Sequence, residues 1–144
     1  MQVRLLRPSD VEIAKELLHQ LGYDMSINDL ARRIDRVLAT RTHYAAVAEE
    51  RNRVVGLVHA YERAALERPT EAVVQSLVVD SGLRKVGIGK VLMAAAEACA
   101  RANGLTDVVL HTREDRDDAR AFYRHLGYRQ AATSHLMRKT LNGA

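Results

Sequence analysis

The sequence contains no tryptophan, one phenylalanine, two prolines and one cysteine among 144 residues. With so few large aromatic side chains, the core must consist mainly of Ala, Val and Leu. The single cysteine, Cys99, excludes an internal disulfide, and its place in an apolar helical run predicts a small core residue rather than a nucleophile. A signal peptide and an 18-residue apolar run are both absent, which predicts a cytoplasmic protein that does not enter a membrane.

The distribution of charge limits the kinds of ligand that the protein is expected to bind. The formal net charge is +4, and 28% of the residues are charged. Lys and Arg are scattered among acidic residues, so a dedicated nucleic-acid surface is not predicted, whereas attraction of a small anion is. The six histidines are scattered too, and with one cysteine they indicate no metal site. The length fits a single domain over residues 1–144.

The most informative stretch reads as a strand, a glycine turn and a helix. Residues 72–79 are apolar except at two positions and rich in valine, as in an interior strand. Asp80, Ser81 and Gly82 interrupt the run. From Ile88 onward, apolar residues at positions 88, 91, 92, 95 and 99 repeat with a helical period. The glycine turn therefore lies at the N-terminus of a predicted helix.

This turn has the properties of a phosphate-binding site. A helix N-terminus offers unpaired backbone N–H groups and the positive end of the helix dipole. Gly87 and Gly89 leave room for close approach to the backbone. Arg84, Lys85 and Lys90 add positive charge.

Two familiar phosphate motifs do not fit the turn. A P-loop needs Lys and Ser or Thr after its second glycine, but Ile88 and Gly89 follow Gly87. The dinucleotide fingerprint would begin at Gly87 and needs a third glycine where Leu92 stands. The remaining pattern is R-x-x-G-x-G between a strand and a helix.

The element order predicts an α+β fold. Reading the whole chain gives β-α-α-β-β-β-α-β-α-β-β, in which hairpins alternate with crossovers. The last two strands are predicted at residues 128–132 and 134–141. This order indicates a mixed, mostly antiparallel central sheet flanked by helices.

Two motifs in this order resemble the GNAT N-acetyltransferase superfamily. The first is R-x-x-G-x-G over residues 84–89, which resembles the family's acyl-CoA pyrophosphate loop. The second is ARAFYRHLGY over residues 119–128, which resembles the family's A-x-x-F-Y-x-x-x-G-F segment with Tyr128 in place of Phe. The family often has Asn three residues before this segment, where this chain has Arg116, so that residue's usual cofactor contact is not assigned here.

The resemblance implies a reaction and a set of cofactor contacts. It implies acetyl transfer from acetyl-CoA to a primary amine of a small molecule or peptide, by direct attack within a ternary complex. The implied pyrophosphate donors are backbone amides and basic side chains of the loop, and the pantetheine arm would pair with a free strand edge. The cofactor-binding residues are Leu77, Val78, Val79, Arg84, Lys85, Val86, Gly87, Ile88, Gly89 and Lys90.

The proton transfers are only partly assigned. The resemblance implies that Tyr123 is the general acid that protonates the departing CoA thiolate. The base stays open among Gln75 acting through a water, Glu71 and His59. Strand alternation places His59 and Tyr61 on one face, where both could share the acceptor site.

A different class of function stays open. Without an evident base, the chain could instead be a sensor that binds acyl-CoA without turning it over. The acceptor, the use of an acyl group other than acetyl and the oligomeric state are not specified, and a homodimer is one alternative.

Overall fold

A computed structural model describes residues 1–84 and 86–142. Its helices and strands within those residues are, in chain order, β1 (Gln2–Leu5), α1 (Val11–Leu21), α2 (Ile27–Ala39), β2 (His43–Glu50), β3 (Arg53–Arg63), β4 (Glu71–Val79), α3 (Ile88–Ala102), β5 (Val108–Leu110) and α4 (Asp117–His125). Short 3-10 helices at Pro8–Asp10 and Ser81–Leu83 precede α1 and α3. The sequence predicts these nine elements in this order.

The five strands form one sheet in their chain order. Strands β1 to β4 are antiparallel neighbours, and β5 joins parallel to β4. The β2–β3 hairpin turns through Arg51 and Asn52, whose φ angles of 52° and 63° suit the twist of a two-residue hairpin loop. The parallel neighbour requires a crossover, which α3 provides. The predicted mixed, mostly antiparallel sheet is confirmed.

The two faces of the sheet pack against different helices. Alternate residues of the central strands face α1 and α2, and the others face α3. The buried cluster beneath α1 and α2 contains Leu6, Ala14, Leu17, Leu30, Ile34, Ala45, Val47, Val54, Leu57 and Val78. As the sequence predicts, this core is aliphatic.

Gly56 allows α3 to lie directly on the sheet. A Cβ placed on Gly56 would be 2.9 Å from Leu92 Cδ1, 3.1 Å from Ile88 Cγ2 and 3.2 Å from the Val78 carbonyl oxygen. Two of these atoms belong to the first turns of α3. The missing side chain therefore sets the distance between β3 and the N-terminal half of that helix.

The buried stripe of α3 is rotated from the predicted one. The sequence predicts a stripe at positions 88, 91, 92, 95 and 99. The residues that α3 buries are Ile88, Leu92, Met93, Ala96 and Ala100. Val91 is 38% exposed, because contact with Gly56 at Ile88 and Leu92 fixes which side of the helix faces the sheet.

A charged cluster ties β1 to the start of α1. Arg4 donates to both carboxylate oxygens of Asp10 at 2.9 Å and to Glu49 at 2.5 Å. Asp10 also accepts from the backbone N–H of Arg7 at 2.8 Å. Asp10 is one of the buried charged residues, so its charge depends on these partners.

The chain divides into two compact units, Met1–His111 and Thr112–Ala144. The second contains α4, and residues 129–142 include no helix or strand in the part that the structure describes. The two strands predicted at 128–132 and 134–141 are therefore wrong. Leu136, Met137 and Leu141 are all at least 80% exposed. Adjacent residues of a strand face opposite sides, so Leu136 and Met137 could not share one apolar face. The prediction of one domain over 1–144 stays a prediction.

Candidate functional site

The glycine turn leads into an open helix N-terminus. Gly87 caps α3 with a φ of 89°, a left-handed conformation that favours glycine. The N–H of Val91 donates to the Gly87 carbonyl at 3.1 Å, which is the first hydrogen bond of the helix. The amides of Ile88, Gly89 and Lys90 come before that bond, so the geometry leaves them for a ligand or water.

The start of the turn is anchored to two neighbouring elements. Asp80 accepts from Arg53 of β3 at 3.0 Å, and its backbone N–H donates to the Val55 carbonyl at 2.8 Å. Gln20 of α1 accepts from the backbone N–H of Ser81 at 2.8 Å. These contacts fix where the chain leaves β4. The sequence indicates that Asp80, Ser81 and Gly82 end the strand, but it does not indicate their contacts with β3 and α1.

Exposed basic side chains flank the helix N-terminus. Arg84 follows the 3-10 turn and Lys90 lies in the first turn of α3, and both are exposed. Val86 between them is 65% exposed. Lys85, which the sequence also assigns to the cofactor, lies outside the described residues. Positive charge beside free amides favours a phosphate group.

Strand β4 leaves its parallel neighbour halfway along. β4 and β5 pair only between Ala72–Val74 and Val108–Leu110. Beyond this, β4 continues to Val79 with β3 as its one described neighbour. The register shifts where Gln75 is inserted opposite β3, which marks a β-bulge. The edge from Gln75 to Val79, which includes the predicted Leu77, Val78 and Val79, is therefore unpaired on the β5 side within the first unit.

A group of aromatic rings lies on the face that α1 and α2 cover. His59 and Tyr61 share this face, as alternation predicts, and His43 from β2 joins them. His43 stacks on His59 with ring centroids 5.1 Å apart and on Tyr61 at 5.3 Å. His43 Nδ1 and His59 Nε2 are 2.8 Å apart. Burial, with a smaller effect from His43, lowers the pKa of His59 to about 4.

The periodicity of β3 does not identify His43 as a neighbour of His59 and Tyr61. The register pairs His43 directly with Tyr61 across the β2–β3 hairpin. Counting back from the hairpin turn locates this pair, whereas the alternation within β3 alone does not.

The other two base candidates have different surroundings. Glu71, at the start of β4, is buried and accepts from Arg63 at 3.0 Å, with Arg68 at 3.8 Å. That carboxylate is already compensated by two cations. Gln75 is exposed at the bulge. The structure therefore brings His59 and His43 together, and it places Glu71 in a separate ion cluster.

Tyr123 lies on α4 in the second unit. Its ring meets Phe122 at 5.1 Å and Tyr128 at 5.9 Å, both edge to face. Burial raises the pKa of its hydroxyl, an effect that Arg116 partly opposes. Tyr123 is therefore protonated at neutral pH, the state that a proton donor requires.

An open pocket of about 50 Å³ lies between the sheet and α3, and its lining includes His43 and Tyr61. It is bordered by Tyr44 and Glu62 from the sheet and by Cys99 and Asn103 near the C-terminal end of α3. Burial raises the pKa of the half-buried Cys99 thiol, which does not favour a reactive thiolate. The helix N-terminus at the glycine turn is at the other end of α3.

The described residues show neither of two further features. Residues 1–84 and 86–142 include no helix with both the length and the apolar character to cross a membrane. The same stretches hold no group of three or more His, Cys, Asp or Glu side chains arranged for a metal ion.

Comparisons with known proteins give one family and many similar folds. The model of the acetyltransferase (GNAT) family matches residues 11–128. A Trypanosoma brucei acetyltransferase has 27% identity and a TM-score of 0.75, over 97% of this chain and 99% of its own. The aminoglycoside 6'-N-acetyltransferase AAC(6')-Ig of Acinetobacter haemolyticus has 16% identity and a TM-score of 0.86, over 99% of this chain and 100% of its own. The aminoglycoside N-acetyltransferase AAC(6')-Iy, in complex with CoA, has 15% identity and a TM-score of 0.87, over 97% of this chain and 95% of its own. No curated protein matches the sequence.

Proposed function

Because the chain belongs to the GNAT acetyltransferase family, we propose that it moves an acetyl group from acetyl-CoA to a primary amine. The amine attacks the thioester directly within a ternary complex. One observation carries this proposal. A β-strand with an unpaired edge runs through an anchored glycine turn into an open helix N-terminus. That arrangement offers adjacent places for the two polar parts of CoA, its amide chain and its pyrophosphate.

The helix N-terminus is the proposed pyrophosphate site. The amides from Val86 to Lys90 would donate to the phosphate oxygens, and Arg84 and Lys85 would add charge. Two features support this assignment: Gly87 holds a positive φ, and the amides at 88–90 precede the first helical hydrogen bond.

The free edge of β4 is the proposed pantetheine site. Leu77, Val78 and Val79 would present backbone N–H and C=O groups to the amides of the pantetheine arm, as an added strand would. An N–H of the same edge would polarise the thioester carbonyl and stabilise the oxyanion that forms on attack. The separation of β5 from β4 after Val74 supports this role.

Tyr123 is the proposed general acid. When the tetrahedral intermediate collapses, the C–S bond breaks and the CoA thiolate needs a proton. A hydroxyl whose pKa is raised by burial stays protonated at neutral pH, so it can supply that proton.

The proposed acceptor is an amine-bearing small molecule or peptide. Two of the similar structures are aminoglycoside acetyltransferases by name. At identities of 15–16% these proteins share the fold of this chain and do not select an aminoglycoside as its acceptor. Homodimerisation and a cytoplasmic location are part of the proposal.

The proposal is tested by a panel of amines with acetyl-CoA. Small polyamines, amino sugars, aminoglycosides and peptides with free N-termini are incubated with the protein, and release of free CoA thiol is followed. We expect acceptor-dependent thiol release and a mass increase of the acceptor by one acetyl group. CoA should also raise the midpoint of thermal unfolding. Thermal stabilisation by CoA without acetylation of any acceptor would favour the acyl-CoA sensor instead.

The Tyr123→Phe variant tests the general acid. We expect kcat to fall by about 100-fold, with little change in the affinity for acetyl-CoA, because only the hydroxyl is removed. Tyr23→Phe is a matched control, since Tyr23 is 61% exposed in the α1–α2 loop. Equal kcat in wild type and Tyr123→Phe would contradict the assignment.

A further inference from the structure

The stacked rings of β2 and β3 contain an unusual polar contact. His43 Nδ1 lies 2.8 Å from His59 Nε2, so the two imidazoles share one hydrogen bond. The three rings of His43, His59 and Tyr61 are nearly parallel, with interplanar angles of 26° and 19°. The strands hold both histidines by their backbone pairing, so the contact belongs to a rigid part of the fold.

The protonation state of the two histidines follows from the burial of the His59 ring. His59 has a pKa of about 4 because burial disfavours its cation. It is therefore neutral at physiological pH, with one N–H and one bare nitrogen. If His59 Nε2 carries the proton, that nitrogen donates to His43 Nδ1, and His59 Nδ1 is left as an acceptor. The half-buried His43 then has Nε2–H on its far side.

The pair lies beside the part of the sheet that would hold the thioester. His59 is paired with Ser76, the residue after the bulge at Gln75. From this bulge onward β4 is free of β5. Neighbouring strands are about 4.8 Å apart, so His59 is one strand from that edge and His43 is two strands away.

The charged side chains described next already form ion pairs, so they are weaker candidates for the base than His43 and His59. Arg63 at the end of β3 and Glu71 at the start of β4 lie on the same face, and Arg63 donates a hydrogen bond to Glu71 at 3.0 Å. The residues that α1 and α2 bury on this face are aliphatic. Two exposed ion pairs lie at and beside the loop between α1 and α2: His19 with Asp24, and Asp29 with Arg32. Tyr61 and Ser76 carry hydroxyls on this face next to His59 along β3 and across on β4, and Arg41 lines the same pocket as His43 and Tyr61.

We propose that His59 and His43 form a two-imidazole proton relay that deprotonates the ammonium group of the acceptor. This inference rests on the proposed acetyl transfer. The acceptor ammonium gives a proton to His59 Nδ1, directly or through one water, while His59 Nε2–H passes its proton to His43 Nδ1. The positive charge then rests on His43, which later releases a proton to solvent.

The remaining steps balance the reaction. The freed amine lone pair forms a C–N bond to the thioester carbonyl carbon, and the C–S bond breaks. The thiolate takes a proton from the proposed acid Tyr123. The second proton that the nitrogen loses as the amide forms restores the tyrosine hydroxyl, so each turnover releases one proton from the acceptor ammonium.

The relay is tested by the pH dependence of kcat/KM for the best acceptor of the amine panel. The variants are His43→Gln and His59→Gln. His19→Gln is the matched control, since His19 is an exposed histidine of α1 outside this cluster. We expect each cluster variant to lose about 100-fold at pH 7. The loss should shrink as the pH rises through the pKa of the acceptor amine, about 10.4 for a lysine-like amine, because a neutral amine needs no base. The control should follow wild type throughout.

The outcomes separate this inference from the proposed function. Absence of acetyl transfer by wild type to any amine would overturn both. Activity in wild type with an unchanged pH profile in both cluster variants would overturn the relay alone, as would a loss that is equal at every pH. Should a variant not fold, ¹⁵N spectra of the wild-type imidazoles give a second test. We expect neutral His59 at pH 6 with a hydrogen-bonded Nε2, and a cationic His59 at that pH would overturn the relay.

Discussion

Replacing Gly56 by alanine tests how closely α3 packs on the sheet. The new Cβ would lie 2.9 Å from Leu92 Cδ1 and 3.1 Å from Ile88 Cγ2, whereas ordinary contact begins at 3.4 Å. The helix must therefore move by about 0.5 Å or Leu92 must leave its rotamer. Overpacking of this kind costs about 1–3 kcal/mol, and the better strand propensity of alanine recovers about 0.5–1 kcal/mol. The midpoints of these two ranges give an expected net loss of about 1 kcal/mol in the free energy of unfolding.

The assay is urea unfolding of wild type, Gly56→Ala and Gly82→Ala. Gly82 is the control because a Cβ there meets no atom within 4 Å and its φ is not positive. The same variants are titrated with CoA. Because Ile88 begins the helix that carries the proposed pyrophosphate site, Gly56→Ala should raise the Kd for CoA by about threefold or more. If Gly56→Ala and Gly82→Ala have the same unfolding midpoint, the close helix–sheet contact is refuted.

Three further predictions concern single residues. Gly87→Ala should cost about 1–2 kcal/mol in urea unfolding, because its φ of 89° strains any residue with a Cβ; an unchanged midpoint would contradict the left-handed cap. Arg4→Met should cost about 3 kcal/mol by the same measurement, since it leaves the Asp10 carboxylate buried without its main partner. Hydrogen bonds from Arg4, then from the Arg7 backbone, hold the Asp10 pKa below its usual range, so its contribution to stability is present above about pH 4 and is lost as the pH falls further. Urea midpoints between pH 6 and pH 3 should therefore fall less in Asp10→Asn than in wild type.

The features predicted from the sequence depend on local chemistry. The strand, glycine turn and helix from 71 to 102 are where the valine run and the helical period placed them. Strand alternation correctly put His59 and Tyr61 on one face.

The features that were missed depend on contacts between distant segments. Gly56 reads as an ordinary glycine in a strand until Leu92 is known to lie against it. The partnership of His43 with His59 requires the register of β2 on β3, which one strand's periodicity does not contain. Isolated apolar residues after Tyr128 suggested strands, but a strand needs a partner as well as a pattern, and the described residues there have none.

The unequal pairing of β4 has a consequence for folding. Strands β2, β3 and β4 follow one another and pair antiparallel, so their contacts close short loops. β5 reaches β4 only after α3 has been traversed, and it pairs over three residues. We expect this junction to form late and to open first, with faster amide hydrogen exchange at Val108–Leu110 than in the middle of β3. A ligand that binds across β4 and the start of α3 would then act mainly on the unfolding rate, so saturating CoA should slow unfolding more than it accelerates folding.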